Sequence, residues 1–389
     1  MSTADHVHLR IPGPTPVPWR IQTAMSRPAI GHRSKEASVL IRDISRRLRN
    51  VFGTSSPVFP VSGSGTAALE AAAVNTVRPG DKVLVVVAGA FGKRFADILQ
   101  RMDAEVVRLE IPWGSPCEPD RLAKELDRHR EIRAVFLTHC ETSTGVLHPV
   151  GELAETIRQR SDALVIVDGV SSVGGAPLNM DERGIDVAVT GSQKALMLPP
   201  GLAAVAVSPR AWHVIESNPR PRYYLDLLMY RHSLEQETTP FTPPVSLLFG
   251  LAESLNMLEE EGLQEVFRRH ERLGKMTRRA LEALGIRLLT DESCASPTVT
   301  AAMGGDRWTA DELRAEMRNL GVVIAGGQGR LKGRIFRIGH MGHCHEPDLL
   351  AALGTLETAL ARLGVLSEPG AGIKAAQEVW IADVQRVDR

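Results

Sequence analysis

Ala163-Leu-Val-Ile-Val-Asp-Gly-Val170 and Val187-Ala-Val-Thr-Gly-Ser-Gln-Lys194 are the two stretches that decide how this chain folds. Each opens with an apolar run that lacks polar alternation, the pattern of a central strand covered on both faces. Each then delivers one charged residue, so that Asp168 stands at the carboxyl end of one buried strand and Lys194 just beyond the end of the next. Crevices outside such strand ends are where open α/β sheets bind ligands. Further runs of the same kind are Val83-Leu-Val-Val-Val-Ala88, Ala134-Val-Phe-Leu-Thr138 and Ala203-Ala-Val-Ala-Val207, with amphipathic segments between them. Alternation of this sort between residues 58 and 210 predicts an α/β fold, a mostly parallel sheet covered by crossover helices.

Outward from that block, Ala67 to Val77 reads as a helix entered through Ser62-Gly-Ser-Gly-Thr66 and stopped before the turn Arg78-Pro-Gly-Asp81. A helix over Glu36 to Phe52 places Leu40, Ile41, Ile44, Leu48 and Val51 on one face, with Arg42, Arg46, Arg47 and Arg49 as a solvated face. After residue 240 the pattern changes. Long helices are expected at Pro244 to Glu261 and Gln264 to Leu284, then strands at Ile286–Leu289, Thr298–Met303, Val322–Ala325 and Ile335–Ile338. Thr309 and Glu312 have capping-box spacing, Gly321 is a stop, and Pro347 to Leu363 is a closing helix. This gives a smaller α+β unit over 263–366 behind a large one over 21–262. An N-terminal segment, 1–20, is expected beside the small unit and the site. Residues 367–389 form a linker and a terminal helix whose Val379, Trp380 and Val384 are expected on a partner subunit.

Length and composition agree with a folded two-part protein. The 389 residues are 43% hydrophobic and 24% charged, near the averages of globular chains, which excludes collagen-like and disordered readings. Forty-six basic and forty-six acidic residues cancel, so no overall field draws the chain to nucleic acid or anionic lipid. No apolar stretch approaches the ~18 residues of a membrane span, and Met1 to His8 shows no secretory pattern. The expected place is the cytoplasm. Cys117, Cys140, Cys294 and Cys344 form no C-x-x-C pair and read as reduced, mostly buried thiols.

Ser62-Gly-Ser-Gly-Thr66 offers backbone N–H groups, hydroxyls and the positive end of a helix to one phosphate. A plain glycine turn with a good cap is the alternative. The same residues fit a dinucleotide G-x-G-x-x-A, but the next strand ends Val87-Ala-Gly-Ala-Phe91 with no acid for a ribose. Asp168 alone could be a turn former, and Lys194 alone a surface lysine. A lysine held among apolar neighbours, however, loses proton affinity and becomes a nucleophilic amine. Phosphate cup, strand-end aspartate and strand-end lysine together are what pyridoxal phosphate chemistry asks of a protein. The cup anchors the phosphate, Lys194 forms the Schiff base, and Asp168 keeps the ring nitrogen protonated.

With these motifs the chain resembles the class V aminotransferases of fold type I, in particular the alanine/serine–glyoxylate branch. The resemblance runs from Pro12-Gly-Pro-Thr-Pro16 to Arg337-Ile-Gly339. It is carried by the cup with Ala68-Leu-Glu-Ala71, by Leu137-Thr-His-Cys-Glu-Thr-Ser-Thr-Gly145, by Val167-Asp-Gly-Val-Ser-Ser-Val-Gly-Gly175 and by Gly191-Ser-Gln-Lys-Ala-Leu196. It implies catalytic Lys194 and Asp168, a phosphate held by Ser64, Gly65, Thr66 and Gln193, and Thr142 near the ring's phenolic oxygen. It also implies Val170 under one ring face, Phe91 stacking on the other where relatives often carry tryptophan, and Thr242 reaching the neighbouring phosphate across a homodimer interface. Arg337 would grip the substrate carboxylate, with Gly13 beside it. Thr239 stands where some relatives have a tyrosine.

The implied reaction moves an amino group from alanine or serine to glyoxylate or pyruvate. Pyridoxamine–pyruvate and ureidoglycine–glyoxylate transamination are the alternatives, and a non-catalytic subunit of an oligomeric complex is the reading outside enzymology. A desulfurase would want its cysteine before Arg337, whereas Cys344 follows it. His340-Met-Gly-His-Cys-His345 superficially suggests a metal, but adjacent side chains cannot all aim at one ion, and it reads as a polar loop beside Arg337.

Overall fold

Seven strands make one sheet in the spatial order Val58–Gly63, Gly201–Val207, Val187–Gly191, Leu164–Asp168, Ala134–Thr138, Lys82–Val87, Glu105–Glu110. The computed structural model describes residues 7–387; Met1 to His6, where the stretch read for a secretory signal begins, lie outside the described residues. Gly201–Val207 alone runs antiparallel to its neighbours; the other contacts in the sheet are parallel. Strand side chains alternate between faces. Val86, Val135 and Val165 therefore meet Ile41, Leu48 and Val51 on one side, while Val85, Phe136 and Ile166 meet Leu69, Phe95 and Leu99 on the other. Each such buried side chain contributes about 1.5–3 kcal/mol, which explains the unbroken apolar runs. Glu105–Glu110 was not among those runs. It is the sheet edge, half open to solvent, and carries Arg108 and two glutamates.

Gly201 pairs with Gly63 and Ala203 with Gly191, while Thr138 pairs with Asp168. The carboxyl ends of Val58–Gly63, Ala134–Thr138, Leu164–Asp168 and Val187–Gly191 thus share one edge of the sheet.

The helix after the first strand spans Gly65–Thr76, beginning two residues earlier than its apolar pattern suggests, because the Ser64 hydroxyl accepts from Ala67 N and caps it. Helix Lys35–Phe52 matches its expected course, but Arg47 is not solvated: it is buried and makes a two-pronged pair with Glu259, at 2.8 Å for each nitrogen. Helix Val245–Glu261 packs over that flank, a neighbour that sequence periodicity does not reveal.

Beyond Leu263–Ala283 a three-stranded antiparallel sheet joins Val299–Met303, Ile335–Gly339 and Ala325–Gly326. The capping box of Thr309 and Glu312 is present. Ile286–Leu289 is not a strand. Only Leu288 bridges to Ala302, because Thr290 turns the chain away to donate to Thr144 O at 2.7 Å. Val322–Ala325 is split: Val322–Val323 pairs parallel with His8–Leu9, and Ala325 opens the strand that joins the three-stranded sheet. Terminal helix Ala371–Val387 packs on Leu263–Ala283 of its own chain, with Ala376, Val379 and Trp380 against Leu273, Met276 and Ala280. Val379 and Trp380, expected on a partner subunit, find apolar contacts within the chain and stay half-buried, and Val384 is exposed. Cys117, Cys140 and Cys344 are buried free thiols, and Cys294 is half-buried. Among the described residues no helix is long and apolar enough to cross a membrane.

Candidate active site

Lys194 sits in a tight loop after Val187–Gly191, and the N-terminal segment forms its roof. Thr15 N donates to Gln193 O at 3.1 Å, and the Thr15 hydroxyl donates to Lys194 O at 3.0 Å. The Lys194 ammonium donates to the Pro12 carbonyl, and Gly13 lies directly over the end of its side chain. The same segment is tied to the small sheet, where Gly339 N donates to Arg10 O at 2.8 Å. Burial pushes the Lys194 amine down to about 8, because a charged ammonium loses its hydration there.

Asp168 is also buried. Its Oδ1 accepts from Val170 N at 2.9 Å, so the turn-forming role is real, yet no Lys, Arg or His among the described residues pairs with the carboxylate. Loss of solvation raises it to about 6. Val170 packs its methyls against Gly65, where a β-carbon would stand 2.9 Å from Cγ2. Residue 65 must be glycine for the Asp168 loop to touch the cup.

In the cup, Ser64 is exposed and Thr66 half-buried. The Thr66 hydroxyl accepts from Arg94 Nη1 at 3.3 Å. Gln193 Oε1 is buried without a hydrogen-bond partner, beside the close approach of Gly191 to Gly65. Phe91 opens helix Ala90–Arg101, half-buried, with the Arg94 guanidinium 4.9 Å from its ring centroid.

Arg337 is buried in the middle of Ile335–Gly339. Its Nη1 donates to Thr142 O and its Nε to Gly326 O, both at 2.9 Å. No carboxylate pairs with it among the described residues, and burial lowers it to about 10. The Thr142 hydroxyl donates to Ser171 Oγ at 2.5 Å. Between these groups lies a residue that motif reading passed over. Glu141 is fully buried, with its carboxylate accepting from Phe91 N, Gly92 N and the Ser143 N–H and hydroxyl. Burial raises its proton affinity. One side chain thus fixes the backbone of Phe91 and the turn whose next carbonyl holds Arg337. Its position inside Leu137–Gly145 was the available signal.

Two expectations do not join this cluster. Thr242 is exposed and makes no hydrogen bond to the cup of its own chain. The His340–His345 stretch is not a polar surface loop: His340 and Cys344 are buried, His340 Nε2 meets the Thr300 hydroxyl at 3.0 Å, and Arg269 donates to the carbonyls of Gly342 and Cys344. These imidazoles and carbonyls are spent on packing the segment after Arg337.

A buried carboxylate without a cation, a buried guanidinium without an anion and a desolvated amine are costly unless a ligand completes them. Hydroxyls and N–H groups for a phosphate, a carboxylate for a pyridine nitrogen and an amine for an aldehyde are the donor set that pyridoxal 5′-phosphate requires. The residues present fit it.

A family model described as aminotransferase class-V matches residues 20–329. An aminotransferase of Methanocaldococcus jannaschii, itself uncharacterized, is 45% identical over 96% of this chain and 98% of its own length. The soluble hydrogenase small subunit of a Synechococcus species is 42% identical over 96% and 98%. The serine–glyoxylate aminotransferase of Methylorubrum extorquens is 38% identical over 95% and 94%. Among solved structures, pyridoxamine–pyruvate aminotransferase from Mesorhizobium loti superposes with a TM-score of 0.94 at 31% identity, over 98% and 99% of the two chains.

Proposed function

Because this chain belongs to the class V aminotransferases, pyridoxal 5′-phosphate enzymes, we propose that it moves the amino group of a small amino acid, alanine or serine, to glyoxylate or pyruvate. The observation that carries the substrate class is Arg337: a buried guanidinium with two donors fixed by carbonyls, near the Glu141 carboxylate but in no ion pair with any acid among the described residues, and with a charge that acts on Lys194. A carboxylate is the natural partner for the donors left over.

The cofactor supplies an electron-accepting ring conjugated to an aldehyde carbon. The protein groups divide the remaining work. Ser64, Gly65, Thr66 and Gln193 would hold the phosphate. Val170 and Phe91 would confine the ring, Thr142 would serve its phenolic oxygen, and Asp168 would keep its nitrogen protonated. Lys194 carries the proton to and from the substrate carbon as acid and base, under the Pro12 carbonyl and with room left by Gly13. Thr242, exposed beside Phe241, whose ring stacks on Tyr224 at 4.8 Å, supports a homodimer in which Thr242 of the partner subunit completes the cup.

The structural likeness to pyridoxamine–pyruvate aminotransferase favours a second reading, against which stands the intact Ser62–Thr66 cup that an unphosphorylated ring would leave unused. A relative named as a hydrogenase subunit favours a non-catalytic role. One experiment separates the three. Purified protein is scanned for visible absorbance abolished by borohydride, then mixed in stopped flow with alanine, serine, glutamate and pyridoxamine. Reaction with alanine or serine supports the proposal, reaction with pyridoxamine alone supports the second reading, and a colourless protein indifferent to added cofactor supports the third.

A further inference from the structure

We propose that Arg94 is the cationic ligand of the cofactor phosphate and sets the preference of this site for pyridoxal 5′-phosphate over unphosphorylated pyridoxal. The inference rests on the cofactor reading above.

The cup assigned to the phosphate is neutral. Ser64, Gly65, Thr66 and Gln193 bring hydroxyls, N–H groups and an amide, and the N-terminus of helix Gly65–Thr76 adds about half a positive charge. A phosphate monoester carries roughly −1.5 to −2 at neutral pH, so most of its charge remains unanswered by those groups. Arg94 is the guanidinium in contact with the cup. Its Nη1 donates to Thr66 Oγ1 at 3.3 Å, and its charge acts on both Asp168 and Lys194.

Its position is held from below. Arg94 lies three residues after Phe91 on the same helix face, and its guanidinium covers that ring at 4.9 Å, a cation–π contact that fixes a planar group without neutralising it. Nor is any acid paired with it among the described residues. Asp97, one turn ahead, is paired with Lys93 at 2.5 Å and Arg108 at 2.9 Å. An unneutralised two-pronged donor anchored at the rim of a phosphate cup is the arrangement that recognises phosphate bidentately.

Protein stripped of cofactor is titrated with pyridoxal 5′-phosphate and, separately, with pyridoxal, following visible absorbance, for wild type, Arg94→Gln and Arg94→Lys. Both ligands carry the aldehyde that Lys194 captures, so pyridoxal reports on everything except the phosphate. The expected result is a Kd for pyridoxal 5′-phosphate raised about tenfold or more in Arg94→Gln and less in Arg94→Lys, with the pyridoxal Kd within about twofold of wild type. Equal weakening of both ligands would show that Arg94 only props Phe91 and Thr66, and an unchanged pyridoxal 5′-phosphate Kd would show that it does not act on the phosphate. Either overturns the inference. Wild type that binds neither ligand overturns the cofactor reading itself.

Discussion

Gly13 lies so close over the end of Lys194 that a β-carbon placed on it would stand 2.7 Å from Cδ and 2.8 Å from Nζ. The N-terminal segment is therefore the ceiling of the amine pocket, and residue 13 carries no side chain where Lys194 ends.

Gly13→Ala should fill that space. Residue 13 also has a φ of +116°, which an alanine adopts only under strain. Such strain costs about 1–3 kcal/mol of stability, while the β-carbon crowding the end of Lys194 should weaken cofactor binding. Titration of the stripped variant with pyridoxal 5′-phosphate checks this, and wild-type affinity would show that the ceiling moves aside freely.

The Lys194 amine should act as a nucleophile from about pH 8 upward, since burial brings it down from 10.5 to about 8 and only the unprotonated amine attacks an aldehyde. The rate at which stripped protein captures pyridoxal should rise with pH and level off above a midpoint near that value. A midpoint near 10 would place the amine in solvent. Borohydride reduction followed by peptide mass analysis should put the adduct on Lys194, and Lys194→Ala should give none.

Asp168 makes a signed prediction about stability. Its native value of about 6 lies above the unfolded 3.8, so the native stripped protein binds more protons between those values. The contribution of Asp168 is therefore greatest below pH 4 and is lost as pH rises through 6, by roughly 3 kcal/mol. Denaturant midpoints of wild type minus Asp168→Asn should show this decline. Turnover in Asp168→Asn should fall severely; near-normal turnover would end the assignment.

Arg337→Lys should not restore carboxylate recognition, because an ammonium cannot hold the carbonyls of Thr142 and Gly326 while presenting two parallel donors. Breaking a desolvated charged pair costs about 2–5 kcal/mol, roughly 30- to 5,000-fold in kcat/KM. Steady-state kinetics with alanine and serine test it, and a loss below about tenfold would move the substrate elsewhere.

If sites are shared between subunits, mixing Lys194→Ala with an inactive Thr242→Val variant should restore part of the activity once subunits exchange. Absence of recovery after verified exchange would mean that each cup is complete within one chain.

Much of this was already legible in the linear chain. Unbroken apolar runs ending at Asp168 and before Lys194 dictated a sheet buried on both faces, because strands with no polar alternation have no side to show to water. Ser62-Gly-Ser-Gly-Thr66 announced the helix it opens and the N–H groups it leaves free. Local chemistry carries those signals. What lay beyond the sequence depended on which groups packing brings together. Glu141 looked like one acid within a motif until packing set it beneath Phe91 and beside the Arg337 turn. Arg47 looked solvated until Val245–Glu261 covered it, and Arg94 looked like one arginine among many until Thr66 and Phe91 met its guanidinium. Burial and pairing arise between residues far apart in the chain, and they alone decide whether a charge is merely solvated or held ready for a ligand.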